Sequence, residues 1–445
     1  MSNYFGKKVS AAPLAVFRIC FGLMLLGSII RFWSKGWIND LYIQPKFFFP
    51  FFGFEFVKPL GQYTYFLFAF CGLCAFLVAI GLFYRLSIIG LFASFSYIEL
   101  IDKSTYLNHY YFISLVSFLM IFLPAHTYFS VDAYRNKRLL AQYIPNWCID
   151  SLKLMLCILY FYAGLAKVNS DWLLQAQPLK IWLPARNDMP IIGEWFNKRW
   201  IPYAFSWFGC IYDLSIPFLL WRAPTRMFAY VAVVTFHVLT ALLFPIGVFP
   251  HIMMVAALIF FSPVFHKNLI RRISYWFRLP SDFIETTKSY FPAFYIKPLF
   301  ILFFTFQLLF PFRYLLYPGE LFWTEEGYRF SWRVMLMEKA GYAQFTVKDS
   351  TGKQVVVNNN DFLSTLQEKM MSTQPDMILQ YAHLLRDYYA LRGFQKPQVY
   401  VDSYVALNGR MGRPLISPTT DLAKETDSFK HKTWILPFHD TIEGL

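Results

Sequence analysis

The lysine at position 167 is the residue of this sequence best placed to act as a base. Lys167 directly follows the apolar run Leu154–Ala166 and is followed in turn by Asp171 and Trp172. A lysine at a membrane boundary usually extends its charged end into the aqueous interface. The alternative is a buried amine, because burial favours the uncharged form, which accepts a proton near neutral pH. Both interpretations stay open, and Lys167 is the candidate general base.

An amide and two imidazoles are the next candidates for chemistry. Asn108 and His109 end a short polar segment that begins at Asp102. The same residue types are also typical of a capped helix start with an interfacial histidine. His237 lies inside an apolar stretch, where a histidine is more often a hydrogen-bonded core residue. We treat Asn108, His109 and His237 as candidate catalytic residues beside the lysine.

The segment Phe310–Arg333 combines three arginines with many aromatic side chains. One interpretation is an aromatic belt at a membrane interface with lipid-binding arginines. The other is a substrate-binding surface, because arginine binds carboxylates through paired hydrogen bonds and aromatic rings exclude water. The candidate substrate-binding residues are Arg313, Trp323, Tyr328, Ser331 and Trp332.

The composition shows what kind of protein must position these residues. Apolar residues make up 57% of the 445 positions and charged residues only 15%, whereas a soluble domain carries about 25% charged residues. The excess of 41 Lys and Arg over 27 Asp and Glu is typical of cytoplasmic loops that face anionic lipid. The numbers exclude disordered, collagen-like and disulfide-scaffold proteins, and they predict a polytopic membrane protein.

Apolar stretches with little internal charge predict an α-helical membrane bundle over residues 1–312. We expect about 8–9 transmembrane helices, nine if every stretch crosses the bilayer. The nine stretches are Ala11–Ile30, Tyr63–Phe83, Leu86–Leu100, Tyr110–Leu123, Leu154–Ala166, Phe205–Trp221, Met227–Leu243, Ile252–Phe261 and Pro298–Phe312. With a cytoplasmic N-terminus, the short loops follow the positive-inside rule, and an odd number of crossings places the C-terminal part outside. The candidate catalytic residues then lie toward the outer side, and such a polar cluster is costly unless it lines a cavity.

Residues 313–445 contain no further crossing and predict a small α+β extramembrane domain that contributes to the substrate site. Gln344–Val347 and Gln354–Val357 alternate on either side of an Asp-Ser-Thr-Gly sequence, which predicts a β-hairpin. Asp361–Arg392 has helical spacing of its apolar residues. Gln398–Leu407 alternates again and ends at an Asn-Gly pair, which is typical of a hairpin turn.

The usual catalytic and metal-binding patterns are absent from the sequence. It contains no P-loop, dinucleotide-binding glycine motif, nucleophile elbow or His-Glu-x-x-His motif. The eight scattered histidines, and the pair Cys71 and Cys74 inside an apolar run, do not have the spacing of metal ligands, so we expect no metal. No basic segment alternates with aromatic residues, so we expect no nucleic-acid partner.

Seven short motifs in the same order, over about residues 10–420, resemble the vitamin K-dependent γ-glutamyl carboxylase family. They also resemble its bacterial relatives of the horizontally transferred transmembrane (HTTM) type. The motifs are Ala15–Gly22, Asp102–His109, Tyr128–Asp132, Ala163–Trp172, Phe236–Phe249, Trp323–Trp332 and Gln398–Asp402. Each motif alone is weak, whereas seven in register are specific.

The resemblance implies an activity. Lys167 would be the base that deprotonates vitamin K hydroquinone, assisted by the pair Asn108 and His109. In the family the deprotonated quinol reacts with O₂ to give a strong base and finally quinone epoxide. That base removes a γ-proton from a peptidyl glutamate, and the carbanion adds CO₂ to give γ-carboxyglutamate. His237 and the segment Trp323–Trp332 would lie near the substrate.

The resemblance also implies the partners and the location of the protein. The co-substrates would be vitamin K hydroquinone or menaquinol, O₂ and CO₂, with no metal. The partners would be membrane lipid, the quinone and a glutamate-containing peptide or protein. We expect an integral protein of a bacterial inner membrane with its C-terminal domain outside, or of the ER membrane with a lumenal C-terminus if the source is eukaryotic.

Some features depart from the animal members of the family. The sequence ends at residue 445, without their long lumenal extension, and has no cysteine beyond Cys210 to form their disulfide between the two halves. Tyr314 and Met337 stand where those members have histidine. These departures concern peptide recognition rather than quinol oxidation. Two alternatives therefore stay open: a quinol epoxidase or oxidase of the same fold that does not carboxylate glutamate, and a non-enzymatic quinone or lipid carrier.

Overall fold

The computed structural model describes residues 6–279, 287–291, 293 and 295–444. Within these residues, long apolar helices share one hydrophobic core. A second core lies toward the C-terminus, where an antiparallel sheet packs with two helices. The architecture agrees with the predicted helical membrane bundle followed by a small α+β domain. The predicted boundary between residues 312 and 313 stays a prediction.

The bundle consists of fourteen described helices and one small sheet. The helices are α1 (Ala12–Ser34), α2 (Trp37–Tyr42), α3 (Thr64–Ile80), α4 (Tyr84–Leu100), α5 (Asn108–Phe122), α6 (Val131–Arg135), α7 (Trp147–Leu165), α8 (Ser170–Leu173), α9 (Leu179–Trp182), α10 (Ile201–Trp221), α11 (Arg226–Leu243), α12 (Phe249–Ala257), α13 (Pro263–Trp276) and α14 (Ile296–Leu309). The sheet pairs β1 (Lys8–Ser10) with β2 (Tyr143–Pro145) in antiparallel register. Short 3₁₀ helices connect several of these elements, at Gly61–Tyr63, Lys103–Thr105, Pro184–Arg186, Gly193–Asn197, Leu258–Phe260 and Phe310–Leu316.

The number of helices able to span a membrane is lower than the expected eight to nine. Among the described residues, six helices are long and apolar enough, or seven if the bent pair α12 and α13 counts as one span. The predicted crossings Leu86–Leu100 and Tyr110–Leu123 correspond to helices of 17 and 15 residues. Both are shorter than the ~20 residues that a straight crossing needs. The predicted crossing Ile252–Phe261 lies in the bent pair, whose axes differ by 114°.

The C-terminal domain is a four-stranded antiparallel sheet with the order β4-β3-β5-β6. Its elements are α15 (Leu321–Thr324), β3 (Lys339–Lys348), β4 (Gln354–Val356), a 3₁₀ turn (Asn359–Asp361), α16 (Thr365–Met371), α17 (Pro375–Ala390), β5 (Gln398–Leu407) and β6 (Arg413–Pro414). The predicted hairpin is confirmed as β3 and β4. The predicted strand Gln398–Leu407 is confirmed with the same bounds, and its valines face the domain core.

The predicted helical region Asp361–Arg392 is confirmed, and it consists of two helices. α16 begins with a capping box between Ser364 and Gln367 and ends at Met371. Pro375 then starts α17, because a proline ring fits the first turn of a helix but cannot continue a preceding one. The break lets both helices pack against the sheet.

Buried charged residues fasten this domain to the bundle. The carboxylate of Asp376, on α17, accepts hydrogen bonds from Lys103 Nζ and Arg329 Nη1, each at 2.7 Å. The two cations hold the pKa of Asp376 well below its usual range. Nearby, Gln367 Nε2 donates to Asp102 Oδ2 at 2.7 Å, and burial raises the pKa of Asp102 to about 6. The loop before α5 is thus bound to the domain by two separate carboxylates.

Replacing Asp376 by asparagine is expected to destabilise the protein by about 3 kcal/mol, because Lys103 and Arg329 would be left as buried charges without a counterion. A depressed carboxylate pKa stabilises the fold above the ordinary value of ~4, and this contribution is lost as the pH falls below it. Thermal unfolding of the detergent-solubilised protein across pH measures both effects. The matched control is Asp387→Asn, because that side chain is 66% exposed and, among the residues that the structure describes, forms an ion pair with its neighbour Arg386 alone. Equal melting temperatures for the two variants would contradict the assigned role.

Candidate functional site

An apolar cavity lies between the helices α7, α10 and α11 and contains about 710 Å³ of empty space, including its open mouth. Most of its wall consists of aromatic and aliphatic side chains from these helices. The short helices α8 and α9, the loop that precedes α12, the first residue of α12 and the segment Val334–Met335 contribute the rest of the wall. The polar side chains in this wall include Lys167, Asp213 and His237, together with Tyr160 and Thr240. A cavity of this kind is typical of a site for a flat, largely apolar ligand.

Lys167 is buried just beyond the C-terminal end of α7. Its Nζ donates to the carbonyl oxygen of Ala163 at 3.0 Å and to Asp213 Oδ2 at 2.7 Å, and it lies 5.3 Å from the ring of Trp172. The amine therefore caps the end of its own helix while it forms an ion pair with another. Lys167 is only 6% exposed, so its charged end does not extend into the aqueous interface as a membrane-boundary anchor would.

The ion pair depends on a close approach of two helices at Gly164. A Cβ atom at this position would lie 2.8 Å from the backbone nitrogen of Leu214, so any larger residue would push α7 and α10 apart. The indole Nε1 of Trp172, on α8, donates to the carbonyl oxygen of Ser206 at 2.8 Å. This hydrogen bond attaches the chain that follows Lys167 to α10 as well. The lysine is thus fixed against α10 from both sides.

Asp213 is the functional candidate that the sequence reasoning missed. It lies inside α10, is only 5% exposed, and forms its ion pair with Lys167 in the cavity wall. A signal was present, because a single carboxylate in the apolar stretch Phe205–Trp221 is costly in a membrane and is by default a functional candidate. The neighbouring acid Asp171, expected beside the lysine, instead accepts hydrogen bonds from Arg410 and Asn408 of the C-terminal domain.

His237 faces the same cavity from α11. Its Nε2 lies 2.9 Å from the hydroxyl oxygen of Tyr160, whereas its buried Nδ1 has no hydrogen-bond partner. An unpartnered polar atom in a buried wall is costly unless a ligand or a water binds it. The sequence left open whether His237 is a satisfied core residue. In the structure, only Nε2 of the two ring nitrogens has a hydrogen-bond partner among the described residues.

Asn108 and His109 lie next to this cavity rather than in its wall. The His109 ring is 5.7 Å from the ring of Phe249, and the His237 ring lies at the same distance from Phe249, so one phenylalanine separates the two histidines. Asn108 Nδ2 donates to the carbonyl oxygen of Arg333 at 2.9 Å. Asn108 therefore positions Arg333, which directly precedes the wall residues Val334 and Met335, and none of its hydrogen bonds reaches Lys167.

The predicted substrate-binding residues do not form one surface. Trp323 belongs to the domain core, where its Nε1 donates to the carbonyl oxygen of Leu436 at 2.8 Å. Arg313 donates to two backbone carbonyl oxygens, those of Phe310 and Arg329. Both side chains therefore donate their hydrogen bonds to backbone carbonyl oxygens of the protein.

The other three predicted residues, Tyr328, Ser331 and Trp332, lie shortly before the wall residues Val334 and Met335 in the sequence. Trp332 is fully buried and stacks on Tyr111 at a centroid distance of 5.0 Å. Ser331 donates to the carbonyl oxygen of Tyr328 and faces a second, smaller cavity. Four non-glycine residues between positions 325 and 335 have positive φ angles: Glu325, Phe330, Trp332 and Met335. Such backbone strain clusters at ligand-binding segments.

No group of three or more His, Cys, Asp or Glu side chains in the described part of the chain could hold a metal ion. Cys71 and Cys74 are buried free thiols on α3. They line neither of the two cavities. The polar groups of the large cavity include an amine, a carboxylate and an imidazole, a set suited to proton transfer.

These features define a polytopic membrane protein whose buried ion pair faces an aromatic cavity beside an extramembrane α+β domain. Two family models match the chain: the HTTM domain over residues 6–265 and the lumenal domain of vitamin K-dependent gamma-carboxylase over residues 294–441. The first match alone covers more than half of the 445 residues. The chain belongs to the vitamin K-dependent γ-glutamyl carboxylase family. No solved structure matches it.

Proposed function

We propose that this protein is a membrane-bound, quinol-dependent glutamyl carboxylase. It would oxidise vitamin K hydroquinone or menaquinol with O₂ to the epoxide and water, and would couple this oxidation to the addition of CO₂ to a peptidyl glutamate. The observation that carries the proposal is the ion pair of Lys167 and Asp213 in the wall of an apolar, aromatic cavity. Membership of the carboxylase family supports it.

The cavity suits a quinol by shape and by chemistry. Aromatic side chains such as Trp172 and Phe236 provide flat apolar contacts for a fused ring system. Lys167 on one side and the free Nδ1 of His237 on another offer polar partners for ring oxygens. The quinol supplies the reducing electrons of the reaction, and the chain supplies the proton acceptor and the dry surroundings.

The ion pair can accept a proton even when Lys167 is charged. An ammonium beside a carboxylate, and an amine beside a carboxylic acid, hold the same number of protons, so the pair takes up one more in either form. Uptake from a hydroxyl group in the cavity leaves an ammonium beside a neutral Asp213. That ammonium then stabilises the negative charge on the ring oxygen that lost its proton. We assign Lys167 as the catalytic base and Asp213 as its coupled partner.

The walls of the cavity would protect the strong base that the reaction generates. Water would quench such a base, so the site must exclude it. Phe249, at the start of α12, and the neighbouring residues Val334 and Met335 contribute apolar surface to the cavity wall. We propose that Asn108 acts here indirectly, by holding the backbone of Arg333 through its 2.9 Å hydrogen bond. His109 would also act indirectly, because it contacts the wall residue Phe249 and does not itself line the cavity.

The test uses purified protein in lipid nanodiscs with a reduced naphthoquinone, bicarbonate and a short glutamate-containing peptide. The proposal predicts quinone epoxide together with a peptide heavier by one CO₂, and no mass gain for the matching glutamine peptide. Epoxide without a mass gain would indicate the quinol epoxidase. Quinone binding without any turnover would indicate a carrier.

We propose that the C-terminal domain lies on the extracytoplasmic or lumenal side. The basic residues of the short loops support this orientation, since positive charge is retained on the cytoplasmic side. Labelling of an introduced cysteine, Ser350→Cys in the hairpin turn, in intact cells or vesicles tests it. Membrane-impermeant reagents should modify the thiol without permeabilisation. A thiol that is protected from these reagents would indicate the opposite orientation.

A further inference from the structure

The helix α13 begins at the end of the bundle that lies opposite the C-terminal domain. It follows α12 after a bend of 114°. Lys153, in the second turn of α7, lies 5.9 Å from the ring of Phe260, just before this bend. The helix α7 is about 28 Å long, and its other end leads to Asp171, whose carboxylate binds Arg410 of the domain. Most of the length of α7 therefore separates the start of α13 from the domain.

The charge of α13 does not suit the hydrocarbon core of a membrane. Its 14 residues include Lys267, Arg271 and Arg272, and Arg278 follows two residues after its end. The chain contains no acidic residue from position 214 to position 281. Charged side chains at the centre of a bilayer are costly. After the bend, α13 therefore runs along the membrane surface and does not complete a crossing.

One face of α13 is already occupied by the bundle. His266, Ile270 and Ser274 are buried, and their spacing of four residues places them on the same side of the helix. Ile270 belongs to the hydrophobic core of the bundle. These contacts fix the orientation of α13, so the opposite face is held outward.

The outward face combines cations with large apolar side chains. Arg271, Arg272 and Arg278 are exposed, and no ion pair among the described residues includes any of them. Trp276 is 77% exposed. Other large apolar side chains exposed on the helix or at its end are Val264, Phe265, Tyr275 and Phe277. Basic residues beside exposed aromatic rings are typical of a helix that lies in a membrane interface.

We propose that this outward face of α13 binds anionic phospholipid of the leaflet opposite the C-terminal domain. The guanidinium groups of Arg271 and Arg272 would bind lipid phosphates, while Trp276 and its aromatic neighbours would enter the boundary between headgroups and acyl chains. A protein groove that enclosed the helix would also need the face that packs on the bundle. A lipid surface needs only the outward one. The inference goes beyond the proposed function and does not depend on it.

The experiment compares two lipids with the same acyl chains. Full-length protein in detergent is titrated with phosphatidylglycerol and with phosphatidylcholine, and the bound lipids are counted by native mass spectrometry. We expect the wild type to prefer phosphatidylglycerol. Arg271→Gln combined with Arg272→Gln should weaken phosphatidylglycerol binding about 10-fold or more and leave phosphatidylcholine binding unchanged, because each cation near an anionic lipid surface contributes about 5-fold.

A second measurement locates the lipid without any substitution. The wild-type protein is placed in nanodiscs that contain a photo-crosslinkable phosphatidylglycerol, and the labelled peptides are identified by mass spectrometry. Label should appear within residues 264–278. An excess of glycerol phosphate should not reduce it, because this soluble anion lacks the acyl chains that the aromatic side chains would contact.

Two further double variants serve as controls. Lys348→Gln with Lys353→Gln removes two exposed cations from the hairpin of the C-terminal domain and should keep the lipid preference of the wild type. Arg271→Lys with Arg272→Lys retains both charges and should keep most of it. All three double variants should melt at the wild-type temperature, because the substituted side chains are exposed.

Three results would overturn the inference. The first is equal binding of the two lipids by the wild type, and the second is an unchanged preference in the double glutamine variant. The third is label confined to other parts of the chain. Displacement of the label by glycerol phosphate would indicate a site for a free phosphate and would equally refute a lipid surface. None of these results depends on whether the protein forms epoxide or carboxylated peptide.

Discussion

Replacing Lys167 by alanine is expected to lower quinol epoxidation by about 10²–10⁴-fold, the usual contribution of a positioned general base. The substitution removes the one amine that the described residues place in the cavity wall, whereas the aromatic surfaces that would hold the ring stay in place. Quinone binding, measured by fluorescence quenching, should therefore survive. A small amine such as methylamine should partly restore turnover, because the truncated side chain leaves space for it beside Asp213.

Two further variants make this prediction specific. Lys198→Ala removes an exposed lysine outside the cavity and should keep full activity. Lys167→Met combined with Asp213→Asn removes both charges at once, which avoids leaving one buried charge unpaired, and should be inactive while still folded. Epoxidation by Lys167→Ala at the wild-type rate would exclude this lysine from the mechanism.

Replacing Asp213 by asparagine is expected to lower epoxidation by about 10²-fold near neutral pH. In the proposed mechanism, a proton shifts from Lys167 to Asp213 across the 2.7 Å ion pair, which gives the uncharged amine that deprotonates the quinol. With asparagine, only the uncharged fraction of Lys167 can act as the base. The remaining activity should therefore rise with pH, and the acid limb of the pH–rate profile should shift to higher pH than in the wild type.

The shape of this profile separates a proton-accepting role of Asp213 from a purely structural one. Asp213→Glu retains a carboxylate and should recover much of the activity with a profile similar to that of the wild type. A protein that is merely misfolded would lose activity at every pH. If Asp213→Asn shows an unshifted profile and an unchanged rate, the lysine acts without its partner and the coupled pair is refuted.

The C-terminal domain was largely predictable because its signals are local. The strand β5 follows from simple alternation, and the hairpin of β3 and β4 follows from a turn sequence between two alternating runs. The helical spacing of Asp361–Arg392 did not show that Pro375 starts a second helix within this region. Proline at a helix start and proline as a helix breaker have the same sequence signal when the pattern of apolar residues continues across it.

The number of membrane spans was less predictable because it depends on three-dimensional packing. Hydropathy identifies an apolar stretch but does not show where the chain bends. The 114° angle between α12 and α13 follows a break of the helix at Ser262, whose side chain caps α13. The apolar helix α5 has only 15 residues and α4 has 17, so both lack the length of a straight crossing. An expectation of nine counted each of them as a full span.

The candidate site was predicted in part. Lys167 could be identified because its position at the end of an apolar run is visible in one dimension. Its partner could not be paired with it from sequence, since Asp213 is 46 residues away and approaches through a helix contact at Gly164. The ion pair of Arg329 with Asp376 was equally hidden, because a sequence shows three arginines near position 330 but not which of them pair with a carboxylate. Pairing is a property of the fold.

The most direct test of the central claim is a cryo-EM structure of the protein in nanodiscs with a reduced naphthoquinone bound under anaerobic conditions. The account predicts density for the ring in the cavity between α7, α10 and α11, with one ring oxygen within hydrogen-bonding distance of Lys167 Nζ. The ion pair with Asp213 should still be formed. Ring density elsewhere, with the cavity empty and Lys167 more than about 6 Å from any ring oxygen, would contradict a proton transfer to this lysine.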